Sequence, residues 1–232
     1  MYHAGAMFSS TGVTSPIYLA NIRHAAELDD FIAEKVYDAV VCSHLFPMET
    51  LTYLRRHGKC KTKIYGVLSD YTCIPFLAET ELDAYFVPHE DVRTECIAAG
   101  IPEEKLIATG MPVSAKFTVK TEKSAAREML GLPAEKKIYL IMTGGIGCGD
   151  AISLCKKLRR IPDGNSLLCV LPGRNEELRA ALDDEFHGDG VIAVPFTDKV
   201  ALYMSAADVL LSKAGGISSS EAGVLGVPFV HT

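Results

Sequence analysis

Short apolar runs recur along the chain at fairly even spacing: Tyr37–Cys42, Lys63–Leu68, Ala84–Val87, Leu106–Thr109, Lys137–Thr143, Ser166–Leu171, Val191–Val194, Asp208–Leu211 and Val227–Val230. Each is 4–8 residues long and rich in Val, Ile, Leu or Tyr, which predicts buried strands. Between most of them the apolar positions take helical spacing, over Glu90–Ala99, Asp150–Arg160, Glu176–Phe186, Lys199–Ala207 and Ile217–Leu225. Strand alternating with helix predicts an α/β fold of βα units, with parallel sheets covered by helices on both faces.

Nine strands are many for one open sheet in 232 residues. Val113–Ser124 carries Lys116, Lys120, Glu122 and Lys123 with little apolar periodicity. After it the pattern restarts as strand, glycine loop, helix. Two Rossmann-like domains are therefore expected, 1–118 and 119–232, with the boundary near residue 118. Both are expected to be truncated. The first 13 residues hold no strand candidate, and the last strand stops two residues before the end, where a βα unit ordinarily continues into a helix.

Composition narrows the class. Hydrophobic residues make up 48% and charged residues 22%, which excludes a disordered or collagen-like chain. The net charge of −6 argues against nucleic acid as the main ligand, because phosphate backbones require a basic face. No apolar run reaches the roughly 18 residues of a membrane-spanning helix, and the start of the chain lacks the basic n-region of a signal peptide. The 7 cysteines form no C-x-x-C and sit mostly in apolar stretches, so reduced, buried thiols in a cytoplasmic protein are expected rather than a zinc site. One basic cluster, Arg55 to Lys63, holds five Lys/Arg in nine residues of an acidic half. It reads either as a patch leaning on anionic lipid or as a solvated helix end.

Two loops carry candidate phosphate chemistry. Thr143-Gly144-Gly145-Ile146-Gly147-Cys148-Gly149 follows a strand and opens a helix, so its backbone could approach a diphosphate, although it fits neither the dinucleotide fingerprint nor a P-loop. A plain tight turn is the alternative. The second is Leu211-Ser-Lys-Ala-Gly215-Gly216-Ile-Ser218-Ser219-Ser220-Glu221-Ala222, where two glycines precede three hydroxyls at a helix start and Glu221 could accept from ribose hydroxyls. Its alternative is an N-cap serine with a stabilising first-turn Glu.

Several segments together resemble the GT-B glycosyltransferases that comprise diacylglycerol glucosyltransferases and monogalactosyldiacylglycerol synthases, relatives of the peptidoglycan N-acetylglucosaminyltransferase. They are Val41-Cys-Ser43-His44-Leu-Phe46-Pro47, Ser69-Asp70-Tyr71, Asp83-Ala-Tyr85-Phe-Val87, Thr109-Gly110-Met-Pro112-Val, Pro195-Phe196-Thr197-Asp198, Ser205-Ala-Ala-Asp208, Ser212-Lys-Ala-Gly-Gly-Ile-Ser-Ser-Ser-Glu221-Ala and Gly226-Val-Pro228. The resemblance covers about 190 residues in the right order. It implies an inverting transfer of a hexose from a UDP-sugar to a lipid such as diacylglycerol, by a protein peripheral on the inner, cytoplasmic face of the membrane. It further implies that Phe196 and Thr197 border uracil, that Gly215, Gly216 and Ser218 face the diphosphate, that Glu221 holds the ribose, and that Gly144, Gly145 and Gly147 lie close to the donor. No metal or other cofactor is implied, in keeping with the lack of an Asp-x-Asp in the chain. Diphosphate charge would then be met by N–H groups, hydroxyls and a helix dipole.

The attacking hydroxyl must lose a proton, and His44 and Asp70 are the candidates to line the acceptor side, since both follow strand ends. For His44 the simpler role is a helix-start residue, and for Asp70 a cap before a turn. Departures from the family fall on that side. The N-terminal glycine loop ending in His is not found, nor is the Pro-x-x-x-Gln-Glu-x-x-Asn region that follows the final strand. Cys73-Ile-Pro75 stands where a His is expected after Asp-Tyr, and Ser114 stands where the peptidoglycan enzyme has Arg. Alternatives are a non-catalytic nucleotide-binding remnant, a cell-wall glycosyltransferase, or a sugar-nucleotide epimerase of the same fold.

Overall fold

The computed structural model describes residues 16–35, 37–144, 150–160 and 164–232. The chain divides into two compact units, Met1–Pro112 and Val113–Thr232.

The first unit runs α1 (Pro16–Asn21), α2 (Ala25–Glu34), β1 (Ala39–Cys42), α3 (Leu45–Arg56), β2 (Lys63–Val67), β3 (Ala84–Val87), α4 (Glu90–Ala98) and β4 (Leu106–Ala108). Its four strands are parallel in the order β1-β2-β3-β4, with Cys42 opposite Gly66 and Val67 opposite Phe86. Ile64, Tyr85 and Val87 point into a core shared with Met48, Leu51 and Leu54 of α3 and Val92 and Cys96 of α4. Gly66 permits that packing. A β-carbon there would stand 2.8 Å from Leu82 Cδ1 and 3.1 Å from Met48 Cε, inside van der Waals contact.

The second unit runs α5 (Lys123–Leu130), β5 (Lys137–Met142), α6 (Ala151–Arg159), β6 (Ser166–Leu171), α7 (Glu176–Phe186), β7 (Val191–Ala193), α8 (Val200–Ala206), β8 (Val209–Ser212), α9 (Gly216–Leu225) and β9 (Phe229–His231). Its parallel sheet has the order β7-β6-β5-β8-β9. Successive strand residues face opposite sides. Ile138, Leu140, Cys169 and Leu210 pack with Met204 of α8 and Ala222 of α9, whereas Ile141, Leu168 and Val170 pack with Cys155 of α6 and Leu182 of α7. Both faces of this sheet are thus covered, as the alternating pattern predicts.

Among the described residues all nine expected strands form, with ends within two residues of expectation. The alternation did not single out α1, α2, α3 or α5. The division between the units falls at Pro112, not near residue 118, because Phe117 is buried in the second core, with Val113 packed against it. Six described cysteines are free thiols, all buried except the half-buried Cys73.

Each unit is pinned by one aspartate just ahead of a strand. Asp83 accepts from Ile64 N (2.8 Å), Lys63 Nζ (3.0 Å) and Arg55 Nη2 (2.5 Å). Asp208 accepts from Ile138 N (2.8 Å), Lys123 Nζ (2.8 Å) and Arg127 Nη2 (2.7 Å). Burial alone would raise both carboxyl pKa values. The hydrogen bonds and cations outweigh it and hold them below the ordinary range, Asp83 strongly so.

Candidate functional site

In an open α/β sheet, ligands bind beyond the carboxyl ends of the strands, where the strand order reverses. In the second unit that reversal lies between β5 and β8. From β5 the chain builds outward through β6 to β7, then returns to the other side of β5 with β8 and β9. The loops after β5 and β8 are therefore neighbours, and they carry the two glycine-rich stretches singled out from the sequence.

After β5, the buried Thr143 donates from Oγ1 to Leu171 O at 3.3 Å. Gly144 then turns the chain with φ +82°, a left-handed value that suits glycine. Gly145 and Gly147 lie outside the described residues. Helix α6 opens with Asp150, whose carboxylate accepts from Ser153 N at 2.9 Å.

After β8, Lys213 and Ala214 lead to Gly215, the residue before the first turn of α9, and no side chain caps that end of the helix. The N–H groups of the first turn are left for another acceptor. The three serines divide. Ser219 Oγ donates back to Gly215 O (2.8 Å) and Ser220 Oγ to Gly216 O (2.6 Å), each closing an i−4 bond within the helix. Ser218 makes no side-chain hydrogen bond among the described residues. Serine is therefore not the N-cap, and Glu221 lies in the second turn, so the simpler reading of this stretch does not hold. Glu221 is half-buried. Burial raises its pKa, while Lys116, on the 3-10 turn Ala115–Phe117, pulls it back.

Along the same sheet edge, Phe196 follows β7 with 58% of its surface exposed, and the Arg174 guanidinium lies 5.0 Å from its ring centroid. Thr197 Oγ1 accepts from Lys199 N at 3.1 Å, which orients the approach to α8. Gly144, Phe196, Thr197, Gly215, Gly216 and Ser218 thus lie on loops or first turns beyond the carboxyl ends of one parallel sheet, with Glu221 one turn further into α9.

In the first unit, His44 and Asp70 follow the adjacent parallel strands β1 and β2 and so share one sheet edge. His44 is exposed and caps α3: its Nδ1 accepts from Phe46 N at 3.3 Å, with its ring edge-on to Phe46 at 4.5 Å. Its Nδ1 lone pair is engaged there, which leaves the ring proton on Nε2. His89 caps α4 in the same way, accepting from Asp91 N at 3.1 Å. Asp70 is exposed. The turn beyond it is tied to α4 by Glu95 Oε2, which accepts from Thr72 Oγ1 and Cys73 N, each at 2.8 Å.

The basic cluster is largely neutralised. Arg55 and Lys63 pair with Asp83, Arg56 with Glu81 at 2.6 Å, and Lys59 with Asp29 at 3.5 Å. These acids come from distant positions in the chain, so the run of charge in the sequence does not survive as a free patch. Sequence reasoning passed over Arg174 and Lys213, both exposed beyond strands of the second sheet and in no ion pair among the described residues. The signal was available, because each lies just beyond the carboxyl end of an expected strand.

Two Rossmann-like units with parallel sheets define the GT-B class. S. aureus MnaA in complex with UDP superposes with a TM-score of 0.67 at 14% identity, covering 94% of this chain and 64% of that one. Acinetobacter baumannii MurG gives 0.53 at 15% identity, covering 91% and 57%. Within that class, residues 6–113 match the family of monogalactosyldiacylglycerol (MGDG) synthase. The chain is 25% identical over 249 aligned residues to the processive diacylglycerol beta-glucosyltransferase of Bacillus thuringiensis (strain Al Hakam), covering 95% of this chain. It spans 64% of the length of that relative. The resemblance read from the ordered motifs is thereby borne out: the chain is similar to the MGDG synthase family over its first unit and to a diacylglycerol glucosyltransferase over most of its length.

Proposed function

We propose that this chain serves an inverting glycosyltransferase that moves a hexose from a UDP-sugar to a lipid acceptor such as diacylglycerol at a membrane surface. The observation that carries the donor half is the bare N-terminus of α9 at the switch point of the second sheet, with Ser218 and the half-buried Glu221 beside it. An uncapped helix start presents N–H donors and the positive end of a dipole, which suits a diphosphate. In this reading, Glu221 accepts from the ribose hydroxyls, Phe196 and Thr197 border the uracil, and Gly144 lets the loop after β5 approach the sugar. N–H groups, hydroxyls and side-chain cations meet the charge of the leaving diphosphate, with no metal ion required.

The acceptor half rests on the relatives named for diacylglycerol. Asp70 is the stronger candidate to receive a proton, because His44 would have to give up its cap to accept one on Nδ1. No described helix is long and apolar enough to cross a membrane, so a lipid acceptor would be met at the surface.

The test is transfer from radiolabelled UDP-glucose and UDP-galactose to diacylglycerol in mixed vesicles, alongside calorimetric titration with UDP. The reading expects saturable UDP binding and labelled glycolipid of inverted anomeric configuration. Conversion of the sugar nucleotide without any acceptor would point to an epimerase instead, and a folded protein that ignores UDP would refute the donor assignment.

A further inference from the structure

A cavity of about 270 Å³ opens beside the switch point of the second sheet. It is lined by Met142 and Thr143 at the end of β5, by Asp150, Ser153 and Lys157 along one side of α6, and by Lys213 after β8. Lys213 reaches across the loop after β5: a β-carbon built on Gly144 would stand 3.5 Å from its Cε and 3.7 Å from its Nζ. Its ammonium thus joins the two glycine-rich loops. Neither Lys157 nor Lys213 has an ion pair or side-chain hydrogen bond among the described residues. The one side-chain carboxylate among the residues lining the cavity, Asp150, accepts from Ser153 N at 2.9 Å.

Lys157 and Lys213 line the same cavity from α6 and from the loop after β8, so an anion seated there would meet positive charge from two elements. We infer that Lys213, with Lys157 in the same cavity, is a cationic seat for the diphosphate of a nucleoside-diphosphate donor. This rests on the donor reading above and adds a charged partner to it. The bare α9 terminus supplies fixed N–H donors, and Lys213 supplies a full, movable charge that can follow the diphosphate as negative charge grows on the leaving oxygen. Lys213 is thus a binding and positioning residue of the second unit.

The test is calorimetry of UDP and of inorganic pyrophosphate against the full chain and its Lys213→Met, Lys213→Arg and Lys157→Met variants, with melting temperatures recorded for each. Lys213→Met should weaken UDP at least about tenfold and flatten its salt dependence, because a charge-assisted contact is lost. Lys213→Arg should keep most of the affinity, and Lys157→Met should lose less than Lys213→Met. Lys213 is exposed, so melting temperatures should stay level. If Lys213→Met binds UDP as the parent does, or if Lys213→Arg loses as much as Lys213→Met, the cationic seat is overturned while the donor reading stands. A parent chain that binds neither UDP nor pyrophosphate overturns both.

Discussion

The two units share an anchor and differ at the opposite edge of the sheet. Asp83 in the first and Asp208 in the second each precede a strand, bind the backbone of the neighbouring strand and gather two cations. At the carboxyl edge the likeness ends. In the first unit the helices after β1 and β3 are closed by the rings of His44 and His89, which take up helix N–H groups. In the second, the helix after β8 begins on Gly215 with no side-chain cap, and a nearby lysine has no counter-charge. A helix start already satisfied by its own side chain has little left for an anion, whereas a bare one is unfinished without a ligand. The scaffold is held by one device used twice, and nucleotide chemistry is assigned to the unit in which, although Asp150 and Asn175 cap the helices after β5 and β6, the helix after β8 starts bare at the switch point.

Breaking the anchors should produce the largest effect and show them unequal. Asp208→Ala leaves the buried Arg127 guanidinium without its counter-charge, at a cost of about 3 kcal/mol or more in urea unfolding. Asp83→Ala should cost about 1–2 kcal/mol, because Arg55 and Lys63 reach solvent. Equal losses would contradict this account of the anchors. Both carboxyl pKa values are depressed by folding. Their contribution is full above the unfolded value, near pH 4, and is lost as pH falls through the folded values, so the parent should destabilise in acid and the alanine variants less so.

Glu49 gives the opposite sign. It is fully buried on α3, Asn21 Nδ2 donates to its Oε2, and Oε1 has no partner among the described residues. Burial pushes its pKa to about 7, with Glu79 adding to the shift against the Asn21 bond. A raised acid favours folding below its unfolded pKa, near 4.3, and loses that advantage as pH rises to the folded value. Glu49→Gln should therefore stabilise the chain by about 2–3 kcal/mol at pH 8 and leave it unchanged at pH 4. A pH-independent effect would show that Glu49 is ionised in the fold.

Smaller effects separate ligand from scaffold. Glu221→Ala should weaken UDP by about 1.5–3 kcal/mol, with a much smaller change in stability, since burial raises the pKa of this carboxyl and Lys116 offsets that only in part. Matched losses would make Glu221 a packing residue. His44→Ala should remove a cap worth about 1 kcal/mol of stability and leave UDP affinity unchanged.

Strands were the most legible feature, because runs such as Ser166–Leu171 are apolar on both faces, short and rich in Leu and Val, as buried parallel strands are. Helices α1 and α2 escaped because they lack a preceding strand run to set the alternation, and α5 because its start overlaps the charged stretch taken for a linker. The glycine-rich stretches were legible as loops, but that the helix start after β8 is bare was not. That depended on Ser219 and Ser220 bonding back into α9. Charge was the least legible property. Arg55 to Lys63 looks free in one dimension and is paired in three, by acids at Asp29, Glu81 and Asp83. Lys213 is the reverse case: it is a lone charge in the sequence, and only the fold brings it beside Gly144 and into one cavity with Lys157.

Amide hydrogen exchange of the full chain with and without saturating UDP tests the assignment of the nucleotide to the second unit most directly. Protection should rise at the start of α9, over residues 215–218, and around Phe196 and Thr197, while the turns at 43–46 and 69–73 exchange unchanged. Protection confined to the strand ends of the first unit, with α9 unaffected, would contradict it.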